Sequence, residues 1–270
     1  MRERQWPGKP RARSPQNWRD AKARRHDRRG EGRDTDAPII LYGWHTVTAA
    51  LANPARRIRR LLTTENAARR LAEEGISLPA DPEMVRPDAI AARLSPDAVH
   101  QGLLAEADPL AAPALEELGA TGIVLVLDQL TDPHNVGAIM RTAAAFAVGA
   151  IVTTARHSPE ATGVLAKSAS GALEFVPLVT VQNLARALAA LKEQGFMVIG
   201  LDGSGTDDLA AIELTSPLAL VLGAEGKGLR QGTKAACDRL ARLELPGSIK
   251  SLNVSNAAAL ALYIASRALG

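Results

Sequence analysis

Aromatic residues are scarce in this chain: three Phe, two Tyr and three Trp make up 3% of its 270 positions. Any core must therefore be assembled from Ala, Leu, Val and Ile, and a hydrophobic content of 46% supplies enough of them for one large domain or two smaller ones. Cysteine is represented only by Cys237, which excludes an intramolecular disulfide, leaves no zinc cluster and fits a reducing cytosol. No metal site is indicated. No apolar run reaches the roughly 18 residues of a membrane span, and the start, Met1-Arg-Glu-Arg-Gln, lacks the apolar core of a secretory signal. Acidic residues at Asp20, Asp27 and Glu31 argue against an organelle transit peptide. These absences predict a cytoplasmic protein without membrane association.

Charge is present but unevenly placed. Residues 1–37 hold 12 Lys+Arg against 6 Asp+Glu, leaving 20 against 23 for the rest of a chain whose totals are 32 and 29. With Pro7, Pro10, Pro15, Gly8, Gly30 and Gly32 and almost no aliphatics, this segment cannot offset its ordering entropy by burial, which predicts a disordered basic tail. Such a tail either solubilises the protein or anchors it to phosphates through counterion release.

Beyond the tail, periodicity predicts a small alternating α/β domain over residues 38–108. A helix is expected at Gly43 to Leu51, a strand at Ile58 to Thr64, helices at Glu65 to Glu74 and Pro87 to Leu94, and a closing strand at His100 to Ala105. Residues 109–121, with Pro109, Pro113 and Gly119, read as a linker. From residue 122 to 270 apolar strands alternate with amphipathic helices, the pattern of a mostly parallel sheet covered on both faces. The expected strands are Ile123 to Asp128, Ala150 to Thr154, Phe175 to Val179, Phe196 to Leu201, Leu218 to Leu222 and Leu240 to Leu245; the expected helices are Val136 to Ala147, Pro159 to Lys167, Val181 to Gln194 and Val254 to Leu269.

Three stretches of this second part carry chemistry. Asn135-Val-Gly-Ala-Ile-Met-Arg141 follows the loop Gln129 to Asn135 after the first strand, which predicts Asn135 and Arg141 near the ligand crevice at the strands' carboxyl ends. Alone, it reads better as an ordinary helix cap at Asn135 and a surface arginine. Leu222-Gly-Ala-Glu-Gly-Lys-Gly-Leu229 spaces its glycines as G-x-x-G-x-G, which matches neither the dinucleotide fingerprint nor a triphosphate loop and so disfavours a nicotinamide-dependent oxidoreductase. Its glycines still let backbone approach a ligand closely while Glu225 supplies a carboxylate. Leu245-Pro-Gly-Ser-Ile-Lys-Ser-Leu-Asn-Val-Ser-Asn256 sets a glycine turn and a row of small polar side chains directly before an alanine-rich helix, a sequence suited to clamping a small ligand.

In this order the three stretches resemble the SpoU/TrmH family of S-adenosylmethionine-dependent RNA 2′-O-ribose methyltransferases, with Lys167-Ser-Ala-Ser-Gly-Ala172 similar to an intervening motif and Gly43-Trp-His-Thr-Val and His100-Gln-Gly-Leu-Leu similar to the edges of a small RNA-binding domain. The resemblance implies an α/β trefoil-knot catalytic domain, a homodimer, an RNA substrate and S-adenosylmethionine as methyl donor, with no metal. It implies Arg141 as the catalytic arginine, joined in the active site by Asn135, Glu225, Ser251 and Asn253. Leu222, Gly223, Gly226, Leu243, Leu245, Leu252 and Asn253 fall where the family holds the donor. The small N-terminal domain favours the branch acting on guanosine of 23S rRNA. Alternatives are a tRNA 2′-O-methyltransferase or an antibiotic-resistance rRNA methyltransferase of the same family, and, from a different class, a non-catalytic RNA-binding ribosome assembly factor.

Overall fold

The computed structural model describes residues 37–78, 82–155 and 163–270, so the basic tail, apart from Ala37, and the expected helix start at Pro159 lie outside the described residues. Residues 38–270 form one compact unit that contains two sheets. The first has four strands, β1 (Ile39–Tyr42), β2 (Ile58–Thr63), β3 (Glu83–Met84) and β4 (Leu103–Ala107), in the order β1-β4-β2-β3. Strand β4 runs antiparallel to both β1 and β2. Helices α1 (Trp44–Ala52), α2 (Glu65–Glu73) and α3 (Pro87–Ala91) join these strands, and Thr64 caps α2 by accepting from the Ala67 amide.

The second sheet is entirely parallel: β5 (Ile123–Asp128), β6 (Ala150–Thr154), β7 (Leu178–Val181), β8 (Met197–Leu201), β9 (Asp207–Asp208), β10 (Leu218–Gly223) and β11 (Arg239–Arg242), in the order β7-β6-β5-β10-β8-β11-β9. Between them lie α4 (Pro133–Ala145), α5 (Gly163–Ala169), α6 (Leu184–Glu193), α7 (Gln231–Ala236) and, last, α8 (Val254–Leu269). The near-continuous apolar runs of the central strands β5, β10 and β8 are what a sheet covered on both faces requires, and the pleat divides them. Ile123, Leu125 and Leu127 pack with Val136, Ile139 and Met140 of α4 and Ala258, Ala261 and Leu262 of α8, while Val124 and Val126 pack with Leu184, Leu188 and Leu191 of α6. The expected α/β class is thus observed.

Two local readings need correction. The strand expected at Phe175 to Val179 begins at Leu178: α5 is followed by left-handed Ser170 and Gly171, a single 3-10 turn at Ala172–Glu174 and then Pro177, and Phe175 is 72% exposed. The loop expected to run through Asn135 ends at Asp132, because Asp132 accepts from the His134 amide at 3.0 Å and Pro133 takes the first helical position, where its missing N–H costs nothing. Asn135 therefore lies inside the first turn of α4.

The two sheets are joined through packing and a buried ion pair. Ala166 of α5 enters the core built on Leu41, Trp44 and Leu103. Arg56 bonds Glu174 at 2.7 Å with both side chains 2% exposed, donates to the Asp108 carbonyl at 2.7 Å, and shares Glu174 with the Asn53 amide at 2.8 Å. Among the described residues no helix is long and apolar enough to cross a membrane.

Candidate active site

In an open parallel sheet the ligand crevice lies beyond the carboxyl ends of the strands. Here the segments following β8, β10 and β11, with the approach to α8, enclose a cavity of about 630 Å³. Leu222, Gly223 and Gly226 from the glycine loop, Leu243 and Leu245 after β11, and Leu252 before α8 all line it, as do Glu225 and Ser251. Asn253 is not in the wall but immediately follows Leu252.

The glycine loop folds back on itself. The Gly228 amide donates to the Ala224 carbonyl at 2.9 Å, and a β-carbon at Gly223 would stand 2.3 Å from the Gly228 carbonyl carbon, a distance no side chain tolerates. The result is a tight hairpin whose backbone faces the cavity.

The three sequence-distant motifs meet at the N-terminus of α8. Asn253 caps this helix, its Oδ1 accepting from the Ser255 amide at 2.9 Å, while its Nδ2 donates to Asn135 Oδ1 at 3.0 Å. Glu225 Oε1 accepts from the Val254 amide at 2.9 Å. Two donors that a helix start would leave orphaned are so satisfied by side chains, and one of these ties the glycine hairpin to the helix. Asn135, Glu225 and Asn253 are brought together by these bonds, with Ser251 exposed in the adjoining wall.

Arg141 stands apart. At about 100° per residue, six residues carry it about 240° around α4 from Asn135, and neither residue lines the cavity. The Arg141 side chain is exposed, and no hydrogen bond or ion pair joins it to another described residue. The expectation that Asn135 and Arg141 face one pocket is not met in the single chain.

Several residues of the site escaped sequence reasoning. Asp202, directly after β8, lines the cavity together with Ser204 and Lys234. Burial alone would raise the Asp202 carboxyl, but hydrogen bonds from Lys234, Ser204 and the backbone amides of Ser204 and Leu229 hold it well below the usual carboxylate range. Asp128, fully buried, pairs with Arg230 at 2.7 Å. The available signal was an acid at the end of an apolar strand, a position that an α/β sheet places beside its ligand crevice. Near the small sheet, partial burial pushes the Lys167 ammonium down, and its Nζ donates to Gln101 Oε1 at 3.0 Å.

The chain matches the profile of the SpoU rRNA Methylase family over residues 122–263 and the profile for RNA 2′-O ribose methyltransferase substrate binding over residues 40–113. It is 38% identical, over 84% of its own length and 95% of the relative's, to the 23S rRNA (guanosine-2′-O-)-methyltransferase RlmB of Pseudomonas putida. Among solved structures it resembles a TrmH-family putative RNA methyltransferase from Porphyromonas gingivalis, with a TM-score of 0.72, 29% identity and coverage of 86% and 90% of the two chains. The fold also matches that of the SpoU methyltransferase AviRb from Streptomyces viridochromogenes in complex with the cofactor AdoMet, with a TM-score of 0.73, 23% identity and coverage of 86% and 90%.

Proposed function

Since the chain belongs to the SpoU rRNA methylase family, we propose that it transfers a methyl group from S-adenosylmethionine to the 2′-hydroxyl of a guanosine ribose in 23S rRNA. The observation that carries this reading is the junction at the start of α8, where Asn135, Glu225 and Asn253 meet beside a cavity walled by the glycine hairpin. The cavity suits the donor chemically: Leu222, Leu243 and Leu252 offer apolar surface to a purine, hairpin backbone offers hydrogen bonds, and Glu225 offers negative charge to a cationic ligand. When bound, S-adenosylmethionine supplies a methyl group already activated by its sulfonium.

The protein's own part is then alignment and deprotonation of the ribose hydroxyl. Leu222, Gly223, Gly226, Leu243, Leu245, Leu252 and Asn253 form the donor site in this reading. Glu225 and Asn253 hold the hairpin and the start of α8 in register, with Asn135 and Ser251 completing the polar wall. A guanidinium serves as a cation and not as a base, and that is the role of Arg141 in this reading. It pairs with a neighbouring RNA phosphate and stabilises the ribose oxygen as the proton leaves to phosphate or water.

We assign residues 38–108 to RNA binding, 109–121 to the linker and 122–270 to the knotted catalytic domain. The working form is a homodimer, its contact including the exposed Leu260 and Tyr263 of α8, and it acts in the cytoplasm. The test is transfer of labelled methyl from S-adenosylmethionine to 23S rRNA by purified protein, with the modified ribose mapped. Absence of transfer to both free rRNA and ribosomal precursor particles would end this reading.

A further inference from the structure

Strand β10, which leads into the glycine hairpin, lies between β5 and β8. Each neighbour ends at an aspartate: Asp128 is the last residue of β5, and Asp202 follows Leu201 of β8. Where the chain leaves the hairpin, two consecutive amides are held from opposite sides. The Leu229 amide donates to Asp202 Oδ2 at 3.2 Å, and the Arg230 amide donates to Asp128 Oδ2 at 3.0 Å. Each carboxylate also takes a cation from the segment just beyond: Arg230 Nε donates to Asp128 Oδ1 at 2.7 Å, and Lys234 Nζ lies 2.8 Å from Asp202 Oδ2. Asp202 Oδ1 accepts from the Ser204 amide at 3.0 Å, which extends the network into a second wall of the cavity.

Both carboxylates are removed from water, Asp128 with 0% and Asp202 with 7% of its side chain exposed. A buried carboxylate keeps its charge only while its hydrogen bonds are made. Here the bonds from the Leu229 and Arg230 amides exist only if the exit of the hairpin occupies this one position. The entrance is held equally well, since Gly223 is paired in register with Asp128 across the sheet. At Gly228 the fit leaves no space: a β-carbon there would lie 2.5 Å from Asp202 Oδ2.

We propose that Asp128 and Asp202 form a two-sided clamp that sets the shape of the hairpin Gly223 to Gly228 and thereby the affinity for the methyl donor, with Lys234 as the counter-ion that completes the Asp202 side. The inference rests on the reading of this cavity as the S-adenosylmethionine site. Asp128 and Asp202 are positioning residues: they act through the hairpin backbone and leave the RNA side of the reaction alone.

The experiment measures S-adenosylmethionine binding by calorimetry, together with steady-state kinetics on rRNA, for wild type, Asp202→Asn, Lys234→Met, their combination, Lys234→Arg and Asp128→Asn. Because Asp128 is the more deeply buried, the Asp202 and Lys234 variants carry the test if Asp128→Asn does not fold. The expected result is donor binding weakened about tenfold or more in Asp202→Asn, the size expected from an unmet buried amide. Turnover at saturating donor and the KM for RNA should stay near wild type. The double variant should be no weaker than Asp202→Asn alone, and Lys234→Arg should retain the donor binding that Lys234→Met loses. Wild-type protein that fails to bind S-adenosylmethionine would overturn the functional reading and the clamp with it. Wild-type protein that binds while folded Asp202→Asn binds equally well would overturn the clamp alone, as would parallel losses in donor affinity, turnover and RNA affinity that merely follow lost folded protein.

Discussion

At the scale of single residues, Arg141 is separated from the residues that line the cavity. Arg141 is exposed on α4, outside the cavity wall, so its replacement should leave the donor pocket untouched. Arg141→Ala is expected to abolish methyl transfer while S-adenosylmethionine binding, read by calorimetry, stays within about twofold of wild type, a difference well under the 1.4 kcal/mol of a tenfold change. Near wild-type turnover by Arg141→Lys would remove the specific role of the guanidinium. Gly223→Val should do the opposite and block donor binding, because its side chain would collide with the Gly228 backbone that closes the hairpin. Cys237 is a different case. Burial, followed by the nearby Asp238 charge, pushes its thiol up to about 12, and its Sγ donates to the Thr233 carbonyl at 3.2 Å. The thiolate is the reactive form, so Cys237 should resist alkylation at pH 8 in native protein and react once the protein is unfolded in denaturant.

At the scale of an element, the last helix decides most. Its buried face, Val254, Ala258, Ala261, Leu262 and Ala265, seats it against the sheet, and its N-terminus is where the three motifs meet. Asn253 both caps the helix and reaches Asn135, so Asn253→Ala should cost about 1 kcal/mol of stability through the lost cap. Denaturant unfolding measures that cost. Asn135→Ala removes the second bond and leaves the cap, so it should cost less stability while still impairing transfer. Equal destabilisation by the two would show that the cap is not the dominant contribution.

For the whole molecule, the Arg56–Glu174 pair ties the small sheet to the parallel one. Both side chains are almost wholly buried, and among the described residues Glu174 is the carboxylate that pairs with Arg56. Glu174→Ala should therefore destabilise the protein by about 3–5 kcal/mol, since it strands a buried guanidinium. A change below about 1 kcal/mol, the range of exposed pairs, would contradict that burial. The basic residues 1–37 carry 12 Lys+Arg against 6 Asp+Glu, a balance that suits contact with RNA phosphates. Their removal should lower the slope of log affinity for RNA against log salt, by fewer phosphates than the 12 Lys+Arg would suggest because 6 acids are interspersed. Identical slopes for full-length and truncated protein would leave only a solubilising role.

The sequence by itself determined the α/β class, the parallel second sheet and the order of the motifs, because these depend on local hydrophobic periodicity and on glycine and asparagine at particular spacings. Ile123–Asp128 and Val254–Leu269 were legible to the residue for that reason. Phe175 was misread as strand because apolarity alone does not reveal the left-handed turn at Ser170 and Gly171 that carries it to the surface. The strand order, which puts β10 between β5 and β8, was decided only by tertiary structure, and with it the pairing of Asp128 and Asp202 with two consecutive amides from 102 and 27 residues away. Tertiary structure likewise decided that Asn135 bonds Asn253 across 118 residues while Arg141, six positions on, does not join them. Hydrogen bonds between distant segments depend on where the sheet delivers each loop, and no local pattern in the chain encodes that.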